Sequence, residues 1–161
     1  AAAYNADEKE LCRLDEIYSA VKTPFEIRSG SEKVTRRFFK ICNNGRESFT
    51  GLYKSLTEQG ICKGHQCIAY GLYMRDNGIE LSEGLAVYGY SICSAIVTNC
   101  VKLVPLSQLA GQKILGESFE LISSASEKAL FTDINDIGIS GVGFDLRAMQ
   151  HERLYSRQYM S

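Results

Sequence analysis

The sequence has no tryptophan, only two prolines (Pro24 and Pro105) and only two histidines (His65 and His151). It also lacks an excess of charge of either sign, since 18 basic and 19 acidic side chains leave a formal net charge of −1. Each shortage excludes something. A near-neutral chain has no electrostatic footprint for nucleic acid. Two histidines cannot form the tract that high-capacity metal storage uses. Scarce proline, with no stretch of sustained alternation between apolar and polar residues, argues against a sheet and for an all-α protein. At 161 residues the expectation is a single domain large enough to bury a core without staples.

The six cysteines (Cys12, Cys42, Cys62, Cys67, Cys93 and Cys100) stand mostly at apolar positions of helical patterns. They are expected to be reduced core or half-buried thiols, as in a cytosolic protein. The opening residues carry no signal-peptide pattern. One uncharged run, 84–101, approaches membrane-spanning length. Ser91, Ser94, Thr98, Asn99, Gly84 and Gly89 interrupt it, so the preferred reading is the central apolar helix of a soluble bundle.

Helical periodicity predicts elements over about 7–22, 25–43, 46–57, 62–76, 79–103 and 107–130. Their stops are the residue before Pro24, the Asn-Asn-Gly at 43–45, Gly60, Asp76-Asn77-Gly78 and Pro105. A glycine-rich loop follows, and the chain resumes as a helix. The expected organisation is a helical bundle over 1–140 with a docking tail over 141–161.

Motifs of enzyme chemistry are weak. Cys62, His65 and Cys67 form one metal hook, but tetrahedral zinc sites take four ligands and no second hook stands elsewhere. On a continuous helix Cys62 and His65 share a face and Cys67 does not. A core or surface histidine is the plainer reading. Gly138 to Gly143 spells neither a dinucleotide nor a P-loop fingerprint. No convergent acid, base and nucleophile set emerges.

Two stretches differ. In 99–114, Lys102 ends the apolar run, Pro105 breaks the helix, and Gln108, Gly111 and Gln112 open the next one. Amides beside a glycine suit a packed helix junction or a surface on which another protein sits flush. In the tail, Phe144, Ala148, His151, Tyr155 and Tyr159 recur at helical spacing, with Arg147, Arg153 and Arg157 beside them. Tyrosine and arginine dominate interface hot spots, and an amphipathic helix in a partner's groove is a standard recognition mode. The same stripe also fits a tail folded back on its own core.

Together these stretches resemble the urease accessory protein F family (UreF). Val101, Lys102, Val104, Pro105, Leu106, Gln108, Gly111 and Gln112 match its Val-Lys-x-Val-Pro-Leu-x-Gln-x-x-Gly-Gln signature, and the ending from Met149 is similar to that of Helicobacter-type members. Gly64-His65 followed by Gly71 fits a further family pattern. The family's N-terminal Phe-Pro-x-Gly and Ser-x-Gly-Leu-Glu region is absent, so the chain looks like the C-terminal two-thirds of a member.

The resemblance implies an all-α, cytoplasmic, non-enzymatic and usually homodimeric urease maturation factor with no stably bound cofactor. Its partners would be the UreD/UreH-type accessory protein, the nickel-carrying GTPase UreG and apo-urease. Arg147, His151, Arg153, Leu154, Tyr155, Arg157 and Tyr159 would enter the UreD/UreH-type interface. Lys102, Pro105, Gln108, Gly111 and Gln112 would lie on a partner-facing surface, and Tyr90 near the dimer contact. The alternative is a direct nickel carrier that uses Cys62, His65, Cys67 or His151.

Overall fold

The computed structural model describes residues 1–42, 45, 48–138 and 141–155. They form eight α-helices and two short 3-10 turns, with no strand among the described residues, so the fold is all-α as expected. The helices are α1 (Glu8–Val21), α2 (Phe25–Ile41), α3 (Phe49–Glu58), α4 (Gln66–Asp76), α5 (Leu81–Leu103), α6 (Gln108–Glu117), α7 (Phe119–Phe131) and α8 (Val142–His151).

Local chemistry sets most boundaries. Asp7, Ser48 and Ser107 cap α1, α3 and α6 by accepting the N–H groups of Glu10, Gly51 and Ala110. Pro24 starts α2 with φ at −66°, and Arg28 Nη1 donates to the carbonyls of Lys22 and Thr23 to close the turn. Val104, the residue before Pro105, is extended and ends α5. Asp76 at the end of α4 caps α3 from outside, accepting the N–H groups of Phe49 and Thr50 at 3.0 and 2.8 Å.

The core lies where the N-terminal turn, α1, α2, α3 and α4 meet. Leu11, Leu14, Phe39, Tyr53, Leu56, Cys62, Ile68, Ala69 and Leu72 are buried there. Phe38 stacks on Tyr70 at a centroid distance of 4.6 Å and meets Tyr73 edge-on.

Two expectations need correction. The segment expected as one helix over 107–130 is two, because at Ser118 the backbone N–H reaches both Ile114 and Leu115 carbonyls and the hydroxyl also bonds Ile114. Such back-bonding beside Gly116 bends the chain. The long apolar helix is a flank rather than an enclosed centre. It packs on α4, α6 and α7, yet only Gly84 of α5 is buried. By length and composition α5 could cross a membrane, with 6% of its most apolar window buried.

Candidate functional site

The most ordered polar feature stands in the core. Asp15 falls in the apolar stripe of α1, one turn beyond Leu11, and is 2% exposed. Its carboxylate accepts three hydrogen bonds: from the Tyr53 hydroxyl at 2.6 Å, the Lys63 N–H at 2.7 Å and the Gly64 N–H at 3.0 Å. The Tyr53 oxygen in turn accepts the N–H of His65 at 2.8 Å. Burial, then the Asp15 carboxylate, pushes the Tyr53 phenol far above its ordinary range, so it stays a donor.

This network explains why the helix expected over 62–76 starts only at Gln66. Lys63 and Gly64 give their N–H groups to Asp15, and Gly64 has φ at +87°. A Cβ on Gly64 would stand 2.8 Å from Thr57 Cγ2.

His65 is fully buried, 4.6 Å from the Tyr18 ring, and shares a 2.7 Å hydrogen bond between Nε2 and Ser19 Oγ. Desolvation holds it below its ordinary value, hence neutral. Serine beside histidine is the first half of a nucleophile–base arrangement. The second half is missing, because Nδ1 has no hydrogen-bond partner and the Asp15 oxygens serve Tyr53, Lys63 and Gly64 instead. The hook also dissolves: Cys62 lies against Cys12, whereas Cys67 faces Tyr18. Among the described residues no three His, Cys, Asp or Glu side chains are grouped to hold a metal ion. The network is a brace that fixes the start of α4 against α1 and α3.

The residues singled out at 99–114 divide. Lys102, Pro105, Gln108 and Gln112 are exposed, but Gly111 is buried at the α5–α6 crossing. A Cβ there would meet Val101 Cγ2 at 2.6 Å and Val97 Cγ1 at 3.3 Å. Its missing side chain therefore serves this chain's own packing, while the other four face outward.

The tail is seated differently from the stripe expected. Asp145, Ala148, Met149 and Glu152, spaced three, four and seven apart, are the half-buried residues of the α8 region, which rests on α2. His151 Nδ1 meets Glu26 Oε2 at 2.6 Å, and the Phe25 N–H donates to Glu152 Oε1 at 2.9 Å. Nothing in α8 is fully buried, and Phe144, Arg147, Arg153, Leu154 and Tyr155 are exposed. Arg157 and Tyr159 lie outside the described residues.

The third surface is apolar. Val87, Ile92, Ile96, Leu109, Leu121 and Phe131, spread over α5, α6 and α7, are all exposed. Tyr90, 40% exposed, stacks on Phe119 with ring centroids 5.9 Å apart. A cleft of about 500 Å³ runs between α5 and α7, lined by Leu85, Tyr88, Ile92, Leu121, Ile122 and Ala125 among others. Exposed apolar side chains gathered along such a cleft mark a protein-interaction face.

An all-helical body with a braced core and exposed apolar contact surfaces is the architecture of a protein that binds other proteins. Comparison with known families makes this specific: the UreF family model matches residues 1–118. Proteins named urease accessory protein UreF are similar along most of the chain. The one from Actinobacillus pleuropneumoniae is 34% identical over 161 residues, covering 99% of this chain and 71% of its own length. That from Haemophilus influenzae is 35% identical over 153 residues, covering 94% and 65%. That from Paenarthrobacter aurescens is 31% identical over 152 residues, covering 92% and 67%. The chain belongs to the UreF family, whose members are urease accessory proteins and not enzymes, and its role lies in urease maturation.

Proposed function

We propose that the chain is a scaffold of urease maturation that holds a UreD/UreH-type accessory protein at its tail and recruits a UreG-type, nickel-carrying GTPase to apo-urease in the cytoplasm. The observation that carries this reading is the exposure of Arg147 on α8 and of Arg153, Leu154 and Tyr155 just past its end, while the half-buried residues of the segment rest on α2. A partner's groove takes up such a helix without unfolding the bundle. The exposed Lys102, Pro105, Gln108 and Gln112 form the second docking surface, assigned to the GTPase. The exposed face of α5 around Val87 and Tyr90 supplies a homodimer contact. Nickel is cargo of the assembled complex in this reading, not a ligand of this chain alone.

The test is co-purification from cells expressing all the accessory proteins. Deleting 147–161 is expected to abolish capture of the UreD/UreH-type partner while leaving the helical circular dichroism intact; retained capture sinks the tail assignment. Lys102→Ala is expected to weaken GTPase recruitment with an unchanged melting temperature. Undiminished co-purification of the GTPase counts against that surface. Stoichiometric tight nickel binding by the purified chain, abolished by His65→Ala, would instead favour the direct carrier.

A further inference from the structure

We infer that Cys12 and Cys62 are a site of covalent oxidation, a thiol pair that a hydroperoxide converts into a disulfide stapling α1 to the turn before α4. The two residues stand far apart in sequence, yet their sulfur atoms lie 3.8 Å apart. A disulfide needs about 2.05 Å, so the sulfurs must approach by less than the reach of a side-chain rotation.

The proximity is built on both sides. Cys12 sits on α1 three residues before Asp15, and the Asp15 carboxylate grips the N–H groups of Lys63 and Gly64, immediately after Cys62. From the other side, the N–H groups of Ile61 and Cys62 both donate to the Leu56 carbonyl, at 2.9 and 3.2 Å. The turn therefore cannot drift from α1 without breaking the two hydrogen bonds to Asp15, and the two to Leu56 fix it on α3, so the backbone keeps the two thiols near each other.

The two thiols are unequal, and that assigns their roles. Cys12 is half-buried and open to a small oxidant, whereas Cys62 is 3% exposed. Burial, with the carboxylates of Asp15 and Glu16 nearby, pushes the Cys62 thiol up to about 12. Cys12 is thus the attacking thiol and Cys62 the resolving one.

The chemistry balances with the peroxide as oxidant. The Cys12 thiolate attacks a peroxide oxygen, the O–O bond breaks, and a water (or alcohol) leaves, giving the sulfenic acid. The Cys62 thiol then loses its proton and attacks Cys12 Sγ; the S–O bond breaks and a second water departs. Two thiols are oxidised to one disulfide and one peroxide is reduced. The product ties the core brace in place, so the oxidised chain should resist unfolding more than the reduced one.

The experiment uses the full, folded chain, fully reduced, exposed to dilute hydrogen peroxide, then alkylated, digested and mapped by mass spectrometry. The expected result is a linked pair of peptides carrying Cys12 and Cys62, short by two hydrogens and restored by dithiothreitol. Cys12→Ser abolishes the link, and Cys100→Ser, which removes an exposed thiol on α5, leaves its yield unchanged. Accumulation of sulfinic acid on Cys12 while Cys62 remains alkylatable after unfolding overturns the proposal. So does a peroxide-treated chain whose links join other cysteines in equal or greater yield. Both readouts come from the unmutated chain, so they decide the matter even where a substitution disturbs folding.

Discussion

Replacing Asp15 with alanine tests whether the buried network holds the fold together. The carboxylate accepts three hydrogen bonds at 2.6, 2.7 and 3.0 Å, two from the buried Tyr53 and Gly64 and one from the exposed Lys63. Hydrogen bonds to a charged acceptor are each worth about 1.5–3 kcal/mol, and every buried donor left without a partner costs about 1–3 kcal/mol. These losses overlap, because the freed turn relaxes toward water once Lys63 and Gly64 are released. After that overlap, about 3–5 kcal/mol is expected for Asp15→Ala. Measured against a total stability of about 5–15 kcal/mol, that is a large fraction. Urea titration followed by far-ultraviolet circular dichroism reads it directly. Tyr53→Phe should cost less, about 1–2 kcal/mol, since it removes one donor to Asp15 and one acceptor for the His65 N–H. The double variant should fall short of the sum by about 1 kcal/mol or more. A loss below about 1 kcal/mol for Asp15→Ala, or strict additivity with Tyr53→Phe, refutes the network as the brace of this core.

The glycines of α6 offer a matched pair. Gly111→Ala should destabilise by about 1–3 kcal/mol through the Val101 clash, whereas Gly116→Ala, with nothing within 4 Å, should stabilise by about 0.5–1 kcal/mol in thermal melts. The pH dependence follows from His65. Desolvation lowers its folded value below the ordinary 6.5, so below that pH the unfolded chain binds a proton that the folded chain does not. Stability should therefore be complete above 6.5 and decline as pH falls beneath it, and His65→Gln should flatten that decline in urea titrations at stepped pH. The seat of α8 is a surface contact, so Glu26→Ala should cost less than about 1 kcal/mol globally. It should nonetheless speed amide hydrogen exchange across α8, and unchanged exchange there would show that the His151 contact does not hold the helix.

What could be read from the sequence was whatever depends on neighbours along the chain. Pro24, Pro105, Asp7 and Ser107 act within one helical turn, and the helix ends they set fall close to expectation. The start of α4 could not be read, because the helical period runs unbroken through 62–65 and what stops it is a carboxylate on α1. A signal existed even so: an aspartate inside an apolar stripe calls for partners, and the Gly64-His65 pair stood out within the family pattern. Gly111 suited either a packed helix junction or a flush partner surface; the structure puts it at the α5–α6 junction, a choice that spacing along the chain does not make because it rests on Val97 and Val101. The face of α8 that meets α2 was likewise hidden, being set by Glu26 on a helix at the other end of the chain.

The long apolar helix carries the deeper lesson. Periodicity identifies which residues of α5 share a face, but not whether anything covers that face. In the structure Ile92 and Ile96, one turn apart on the same face, are 43% and 57% exposed. Leu109 and Phe131, on the neighbouring helices, reach 81% and 89%. Each such side chain forgoes about 1.5–3 kcal/mol that full burial would supply. The buried network around Asp15, by contrast, leaves its members no freedom to rearrange. The molecule is thus divided into a half whose geometry is fixed by polar bonds and a half whose apolar surface stays available. Substitutions in the first half should register as folding defects, and those on the exposed face of α5 to α7 as association defects with the fold intact. That separation is what an assembly factor requires: contact surfaces that can be occupied and released while the body presenting them keeps its shape.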